Sequence, residues 1–450
     1  MNQIIIIALE FPPLNTAGSV RPFRMAEYFG GQGVDVTVMT MSKDGSLGMF
    51  QKPNNLELSS DQFKTVEIVP SFPEANRKSK IRQWFSVGDY YEEVWGGDLH
   101  REIQHYIKKQ GKPDFILGTC PPFSTATLTR RLSQHFDVPY ILDLRDAWSQ
   151  WNINPQTTYW HYRSVLREER QCIEDSHVTL TTTDQTKADL HRLHGKDLNL
   201  MVVENGFDKD IEFLTESSWT MAGATPLVIG YVGSFYFNPG AHEAMFKPWW
   251  RKSPHRWFHY APRKEDWTYR SPRYFFQILN DLFDQDPDWR EKLRLEFVGH
   301  VPEWLTEMIQ EFDLGEHVTL RGQVSLEESL RLQQSFDFFL GTSAKIEGQS
   351  DYSMGSKYYE ALQFQKPILG VCGPSPLADL IQKSGLGVVL DPDDALESAR
   401  ELHSFLKREK VSVDGVFLST KARKQQLNAL HEFFKDGEGL SPQVQDAVAF

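Results

Sequence analysis

The chain contains few cysteines and carries no excess of positive charge. Its three cysteines lie far apart and form no CxxC pair. This excludes a disulfide framework and a zinc site built on cysteines, and it suits a reducing cytoplasm. The formal net charge is -13. We therefore expect no nucleic-acid partner, because general nucleic-acid binders present broad basic surfaces.

Long apolar runs are also missing. No stretch approaches the roughly 18 to 20 apolar residues that span a membrane. The beginning, MNQIIIIALEFPP, has no positive charge before its short apolar run, and Glu10 follows that run directly, so a secretory signal is not indicated. We interpret it as a buried parallel strand. We expect a cytoplasmic protein, with any membrane contact being peripheral and at the inner face.

What the sequence does contain is a repeated alternation of apolar runs and helical patterns. Hydrophobic residues make up 40% of the 450 residues, enough for two to three domains. IIIIAL, RPFRMAEYF and VDVTVMT form one such series, and a second begins at PLVIGYVGS. Strand–helix–strand alternation predicts an α/β fold with parallel sheets covered on both faces.

The alternation predicts two doubly wound domains and a C-terminal helix. We place the N-terminal domain at 1–210 with a weakly patterned insertion at 45–100, and the C-terminal domain at 211–418. The last segment, 419–450, is predicted to hold a helix from about Ser419 that returns to the first domain.

A second insertion, at 235–272, is rich in tryptophan and arginine. It contains Trp249, Trp250, Trp257 and Trp267 among the eight Lys and Arg residues between positions 247 and 273. Long loops inside compact domains are usually functional or disordered. Two interpretations stay open: contact with a lipid-linked acceptor or the membrane interface, or a folded subdomain whose aromatic residues form a local core.

Two polar stretches follow predicted strands of the first domain, where ligands bind in open parallel sheets. In EFPPLNTAGSVRPFRM, Gly18 and Ser19 lead into a helix whose first amides could bind a phosphate or sugar hydroxyl; Ser19 could equally be an ordinary cap. In ILDLRDAWSQW, the charged residues either pair structurally or face a cleft. They are Asp143, Arg145 and Asp146.

Two further stretches belong to the second domain. In SDYSMGSKYYEAL, residues 353–356 offer free amides and hydroxyls at a helix start, which suits a diphosphate. Lys357 adds a cation there, and Glu360 could accept hydrogen bonds from a ribose, although Ser and Gly often merely cap helices. In GYVGS, Ser234 follows a strand, and Arg270 precedes a helix and suits a phosphate through its planar donors.

Together these stretches resemble bacterial GT-B glycosyltransferases of family 4, most closely those that build surface polysaccharides. The elements FPPLNTAGSVRPFRMAEYF, PDFILGTCPPFSTATL, VPYILDLRDAW, VVENGFD, GYVGS, LEFVGH and MGSKYYEALQFQKPILGV occur here in that family's order. The resemblance covers nearly the whole chain. It is weakest in the two insertions.

The resemblance implies two Rossmann-like domains facing across a cleft, with no cofactor and no metal. The C-terminal domain would hold a nucleotide-sugar and the N-terminal domain a glycan or lipid-linked acceptor. The implied catalytic residues are Arg145, Asp146 and Arg270. The implied donor-binding residues are Gly18, Ser234, Ser353, Met354, Gly355, Ser356, Lys357 and Glu360.

Three positions depart from the family pattern. The glutamate that many relatives have eight positions before Glu360 is Tyr352 here, and the basic residue expected after the glycine of YVG is Ser234. The histidine common in the first-domain loop is absent from TCPPF, which spans Thr119 to Phe123. These departures leave open which side chain would touch the sugar.

The sequence therefore predicts a retaining, hexosyltransferase-like enzyme that uses a nucleoside-diphosphate sugar. Three alternatives remain open. A metal-dependent transferase of the other fold would need a DxD motif; Asp391 and Asp393 have that spacing, but their position favours a cap of the next helix. A nucleotide-sugar epimerase could use the same scaffold, and a catalytically silent homologue could act as a binding partner.

Overall fold

The computed structural model describes residues 1–435 apart from 15, 17, 43–57, 70–90, 151–154, 209–210, 214, 220–225 and 254–255. Much of the predicted 45–100 insertion and the tail after 435 lie outside the described residues. The chain divides into two compact units. Unit 1 comprises Met1–Asn205, Phe258–Pro262 and Gln426–Phe450, and unit 2 comprises Gly206–Trp257 and Arg263–Gln425.

Unit 1 is built on a parallel sheet with seven strands among the described residues, in the order β3-β2-β1-β4-β5-β6-β7. The strands are β1 Gln3–Ile7, β2 Asp35–Met41, β3 Lys64–Ile68, β4 Phe115–Cys120, β5 Tyr140–Leu144, β6 Val178–Thr181 and β7 Leu200–Val202. The four isoleucines of β1 explain the two covered faces: Ile5 and Ile7 enter one buried cluster, Ile4 and Ile6 the other. A strand buried on both faces requires apolar residues at consecutive positions.

Helices cover both faces of this sheet. They are α1 Val20–Gly31, α2 Tyr91–Gln110, α3 Ser124–Phe136, α4 Tyr159–Glu174 and α5 Asp184–His194. The C-terminal helix, α15 Arg423–Lys435, adds Leu427 and Leu430 to the cluster that holds Ile4. The helix predicted to start near Ser419 begins instead at Arg423, and Ser419 ends a separate short helix, α14 Gly415–Ser419.

Unit 2 repeats the design with a parallel sheet of six described strands in the order β12-β11-β9-β13-β15-β16. These are β9 Leu227–Val232, β11 Leu293–Val298, β12 Val318–Gly322, β13 Phe338–Thr342, β15 Ile368–Val371 and β16 Gly387–Leu390. Two small antiparallel pairs stand outside it: β8 Glu216–Ser218 with β17 Lys410–Ser412, and β10 Glu265–Asp266 with β14 Lys345–Ile346.

The remaining helices belong to unit 2. They are α6 Pro239–Phe246, α7 Arg273–Gln285, α8 Trp289–Lys292, α9 Glu303–Glu311, α10 Leu326–Ser335, α11 Ser356–Leu362, α12 Pro376–Ser384 and α13 Ala395–Leu406, with α14 after them. No helix in the described part of the chain is both long enough and apolar enough to cross a bilayer. The predicted α/β fold with two doubly wound domains is confirmed.

Each sheet reverses its strand order at one place. In unit 1 the chain runs outward from β1 to β3 on one side and from β4 to β7 on the other, so the reversal lies between β1 and β4. In unit 2 it lies between β9 and β13. Ligands of open α/β sheets bind beyond the carboxyl ends of the strands at this switch point. The two switch points therefore show where to look for sites.

Candidate active site

The unit 2 switch point is bordered by the start of helix α11. Gly355 precedes this helix, and no side chain caps its first turn, so its leading amides are not occupied by a side-chain acceptor. Tyr358 fixes the helix against the end of β13: its hydroxyl donates to the Thr342 carbonyl at 2.9 Å and accepts from the Thr342 amide at 2.9 Å. The helix start therefore has a defined place at the carboxyl edge of the sheet.

Arg270 is brought to the same place by the second half of the 235–272 insertion. It ends a single turn of 3-10 helix, Trp267–Arg270, and helix α7 begins only at Arg273. Its Nη2 donates to Ser353 Oγ at 2.8 Å and to Glu265 Oε1 at 3.2 Å. Within the described residues its Nε has no hydrogen-bond partner. The guanidinium thus touches the predicted diphosphate segment and retains a spare donor.

Two buried carboxylates stabilise the positive charge of Arg270. Glu265 and Asp351 are each 2% exposed, and their oxygens lie 3.2 and 3.7 Å from Arg270 Nη2. Burial acts to lower the pKa of Arg270, but the Asp351 and Glu265 carboxylates outweigh it and raise that pKa above the ordinary value. Arg270 is therefore a permanent cation at this site.

Asp351 also shapes the loop before helix α11. Its Oδ1 accepts from the Ser353 amide at 3.0 Å and from the Ser353 hydroxyl at 3.1 Å, and its Oδ2 accepts from the Ala344 amide at 3.0 Å. The bond from Asp351 to an amide two residues on is an Asx turn. Asp351 was not predicted as a site residue, although an aspartate two positions before Ser353 is a recognisable signal for such a turn.

Lys357 lies on helix α11 beside Tyr231 of strand β9. Its ammonium donates to the Tyr231 hydroxyl and stands 3.9 Å from the centre of that ring. Burial and the Arg270 guanidinium lower the pKa of Lys357 to about 7, with Glu360 acting weakly in the opposite direction. Two cations with very different proton affinities therefore share the site.

The remaining candidates of unit 2 differ in what they can offer. Ser234 is exposed, and its carbonyl accepts from the Tyr231 hydroxyl at 3.2 Å. Glu360 is exposed on α11, three residues after Lys357. Met354 is 8% exposed and packs in an apolar cluster with Tyr358. Met354 can therefore contribute its backbone but little of its side chain.

The tyrosine that departs from the family pattern has a cationic neighbour. Tyr352 is 8% exposed, and the guanidinium of Arg263 lies 4.1 Å from the centre of its ring. Burial and the nearby Glu265 carboxylate raise the pKa of Tyr352 well above the ordinary value, so this side chain stays neutral. A neutral ring thus occupies the position of the missing carboxylate.

In unit 1 the structure brings Arg145 and Gly18 together. Arg145 follows strand β5, and its guanidinium donates to the Gly18 carbonyl at 2.5 Å, to Glu10 Oε1 at 2.8 Å and to the Pro121 carbonyl at 2.8 Å. These partners come from the loops after β1 and β4, the strands that border the switch point. Glu10, the anionic partner, was missed as a site residue, although it directly follows the first strand.

The loop around Gly18 is held closely. Glu10 also accepts from the Thr16 hydroxyl at 2.5 Å, which in turn lies 2.8 Å from the Ser19 hydroxyl. A Cβ atom on Gly18 would lie 2.2 Å from Glu10 Oε2 and 2.3 Å from Arg145 Nη1. Only glycine leaves room for this ion pair. Ser19 makes no side-chain cap bond to α1.

Asp143 has a structural role, and it pairs with Arg21 rather than with Arg145, the arginine that lies near it in the sequence. Its carboxylate is fully buried and accepts from Arg21 Nη2 at 2.7 Å and from the Thr119 hydroxyl at 3.0 Å. Arg21 was missed because a single arginine on a predicted amphipathic helix gives no sign of facing the core. Asp146 is partly exposed and has interactions of its own.

The two aspartates with DxD spacing, Asp391 and Asp393, make structural contacts. Asp393 Oδ2 accepts from Lys345 at 2.6 Å, and its Oδ1 accepts from the Tyr269 hydroxyl. The predicted cap of the next helix is provided by Asp394, whose side chain accepts from the Glu397 amide. The described residues contain no group of three or more side chains placed to hold a metal ion.

The C-terminal part of the chain is similar to a known protein family. Residues 275–423 match the family model described as Glycosyl transferases group 1. The matched residues include the α11 segment with Lys357 but not Arg270 or Ser234. No curated protein sequence matches the chain significantly.

Solved structures resemble the whole chain. The crystal structure of Anabaena Alr3699/HepE in complex with UDP and glucose aligns with a TM-score of 0.58 at 11% identity, over 97% of this chain and 100% of that one. The lipopolysaccharide outer core galactosyltransferase WaaB, in its apo form, aligns with a TM-score of 0.57 at 11% identity, again over 97% and 100%. A putative UDP-N-acetylglucosamine 2-epimerase from Listeria monocytogenes aligns less closely, with a TM-score of 0.50 at 12% identity over 97% and 96%. At such identities the likeness shows the fold alone, which is GT-B with two Rossmann-like domains.

Proposed function

We propose that the protein is a retaining glycosyltransferase that moves a sugar from a nucleoside-diphosphate sugar to an acceptor hydroxyl. The observation that carries this proposal is the convergence at the unit 2 switch point of an uncapped helix start, Arg270 and Lys357. Two cations and a row of amides suit a dianionic diphosphate. The match of residues 275–423 to a glycosyltransferase family supports the same reaction class.

The donor is expected to bind through its diphosphate at residues 353–357. The amides of Gly355 and Ser356 and the Lys357 ammonium would face the phosphate oxygens, and the Arg270 guanidinium, held beside them by the Ser353 hydroxyl, would add its positive charge. Glu360, exposed one turn along α11, would accept hydrogen bonds from the ribose. Because Alr3699/HepE was solved with UDP, we propose a UDP-sugar as the donor and a hexose as the transferred group.

The proposed chemistry needs no metal. The bond from the anomeric carbon to the phosphate oxygen breaks, a bond to the acceptor oxygen forms on the same face, and the acceptor proton passes to the departing phosphate. Negative charge grows on that phosphate in an oxocarbenium-like transition state. Preorganised cations and amides stabilise it most where charge develops. Arg270 and Lys357 are the cations that this proposal assigns to that task.

Unit 1 is proposed to present the acceptor, a glycan or lipid-linked sugar, in the cytoplasmic synthesis of a surface polysaccharide or glycoconjugate. Family 4 membership and this role rest on the sequence resemblance. The contacts of Arg145 to Glu10 and to two loop carbonyls favour a residue that positions the Gly18 loop. We assign Asp146, which is partly exposed nearby in the chain, as the unit 1 residue nearer the acceptor.

A donor screen followed by product analysis tests the proposal. The full chain is melted with UDP-, GDP-, ADP- and dTDP-sugars, and we expect one nucleotide class to raise the midpoint by about 2–4 °C at saturation. That donor is then incubated with glycan and lipid-linked acceptors. The expected product keeps the anomeric configuration of the donor, read by NMR.

Other outcomes would contradict the proposal in distinct ways. A sugar nucleotide altered at one carbon without any acceptor would favour the epimerase. Donor binding with no release of nucleotide in the presence of any acceptor would favour a silent binding partner. Inverted product would overturn the retaining mechanism while leaving the transferase assignment in place.

A further inference from the structure

The first half of the Trp/Arg-rich insertion lies mostly on the surface, although Phe235 at its start is buried in the unit 2 core. Five of the eleven large hydrophobic side chains that are exposed in the described chain lie within residues 236–257, which we call the aromatic–basic segment. They are Tyr236, Phe246, Trp249, Trp250 and Trp257, exposed by 57, 42, 61, 64 and 45%. Trp267, in contrast, is 8% exposed. Burial therefore fits the local-core interpretation at Trp267 but not at these five side chains.

The exposed tryptophans are held by one another and by the backbone. The ring of Trp249 lies edge-on to Trp250 at 6.0 Å and to Trp257 at 6.3 Å between centroids. The Trp257 indole donates to the Lys252 carbonyl at 2.7 Å, and Lys252 Nζ donates to the Met245 carbonyl at 3.2 Å. The cluster is thus a fixed feature of the surface. The Trp257 indole N–H would keep its hydrogen bond to the Lys252 carbonyl in an apolar environment.

Positive charge surrounds these rings. The aromatic–basic segment contains four basic residues and one acidic residue, Glu243, in a chain whose net charge is -13. Lys247 is paired with Glu243 at 3.0 Å. Arg251 and Arg256 are exposed and form no ion pair with any residue in the described part of the chain. The aromatic–basic segment therefore carries a positive charge, opposite in sign to the net charge of the whole chain.

We propose that the aromatic–basic segment is a docking surface for an anionic lipid bilayer. Tryptophan settles at the depth of the lipid headgroups, and unpaired basic residues beside it are attracted by anionic lipids. The core of a protein–protein interface would also use tryptophan, but lysine is depleted there, whereas this segment interleaves two lysines and two arginines with its rings. The proposal does not depend on the transferase assignment.

Co-sedimentation of the full chain with vesicles tests the proposal. Vesicles of equal parts phosphatidylglycerol and phosphatidylcholine are expected to bind the protein at least roughly tenfold more tightly than pure phosphatidylcholine vesicles, and added salt should weaken binding. Two double variants should each lose at least about tenfold in affinity for the anionic vesicles. They are Trp249→Ala with Trp250→Ala, and Arg251→Glu with Arg256→Glu.

Matched controls make the result specific. Trp160→Ala removes a 78% exposed tryptophan outside the segment, and Lys196→Glu with Lys383→Glu makes the same charge change at two exposed positions elsewhere. Both controls should bind vesicles as the unaltered chain does. All variants alter exposed side chains, so their thermal midpoints should be unchanged. Donor binding is measured on the same samples, because a variant that loses vesicle binding but keeps donor binding separates this proposal from the transferase assignment.

Three results would overturn the proposal. The first is no sedimentation of the unaltered chain with anionic vesicles. The second is equal loss of binding in the controls, which would show non-specific attraction. The third is equal binding to neutral and anionic vesicles, which would remove the role of the arginines. Saturable capture of soluble glycans that depends on Trp249 and Trp250, without vesicle binding, would reassign the segment to the acceptor.

Discussion

At the scale of single residues, the account depends on how the protein sets the charges of Lys357 and Arg270. Arg270 is kept charged by the Asp351 and Glu265 carboxylates. Lys357 has no carboxylate in hydrogen-bond contact among the described residues and packs against the Tyr231 ring, and its pKa falls to about 7. Near neutral pH part of the free protein therefore lacks the Lys357 charge.

This predicts a pH-dependent donor affinity. A bound diphosphate favours the charged ammonium and raises the pKa of Lys357. Below pH about 7 the lysine is already charged, so the affinity for a nucleotide-sugar should be constant. Above that pH binding must take up a proton, and the affinity should weaken by up to about tenfold per pH unit. Titration calorimetry with the donor between pH 6 and 9, in buffers of different ionisation enthalpy, measures both effects.

Lys357→Arg provides the matched control, because arginine keeps its charge over this range. Its donor affinity should be flat with pH and should show no proton uptake. If the unaltered protein also shows a flat profile, Lys357 does not meet the diphosphate.

The sequence revealed one member of each of three ion pairs and missed the other. Arg270 precedes a predicted helix, and Asp143 and Arg145 lie at the end of an apolar strand, so their types and positions were informative. Glu265, Glu10 and Arg21 became partners only because the chain brings distant segments together. No local pattern encodes such an approach.

At the scale of elements, the alternation of apolar and polar residues was a reliable guide. Strands buried on both faces, such as β1, and the amphipathic helices after them follow from residue spacing. Irregular segments were not predictable in this way. The turn Trp267–Arg270 and the break between α14 and α15 depend on tertiary contacts. The composition of the 235–272 insertion does not distinguish its buried Trp267 from its exposed tryptophans.

The loop between β1 and α1 provides a prediction at this scale. In Gly18→Ala, the new methyl group should displace the ends of Glu10 and Arg145 and weaken the contacts that hold this loop to those after β4 and β5. We expect a destabilisation of about 1–3 kcal/mol and a loss of transfer activity, measured by thermal melting and by turnover.

Gly97→Ala, in helix α2 of the same unit, is the control. A Cβ atom there meets nothing within 4 Å, so alanine should be neutral or stabilise the protein by up to about 1 kcal/mol. If Gly18→Ala behaves like Gly97→Ala in both stability and turnover, the Gly18 loop has no role in the reaction.

At the scale of the whole molecule, two units of the same design each collect charged residues at their switch point. In unit 1 these are the Arg145–Glu10 pair and its loop contacts, and in unit 2 they are Arg270, Lys357 and the start of α11. In unit 1 the cation, Arg145, is neutralised by Glu10, whereas in unit 2 the second cation, Lys357, has no carboxylate in hydrogen-bond contact among the described residues. This difference is why we assign the nucleotide-sugar to unit 2 and the acceptor to unit 1.

The most direct test of the central claim is the crystal structure of the full chain soaked with the nucleotide-sugar selected by the donor screen. Our account predicts diphosphate oxygens within about 3.2 Å of the Gly355 and Ser356 amides and of the Lys357 ammonium, with Arg270 beside them. A fully occupied donor whose diphosphate lies elsewhere, or a saturated soak that leaves the start of α11 empty, would contradict it.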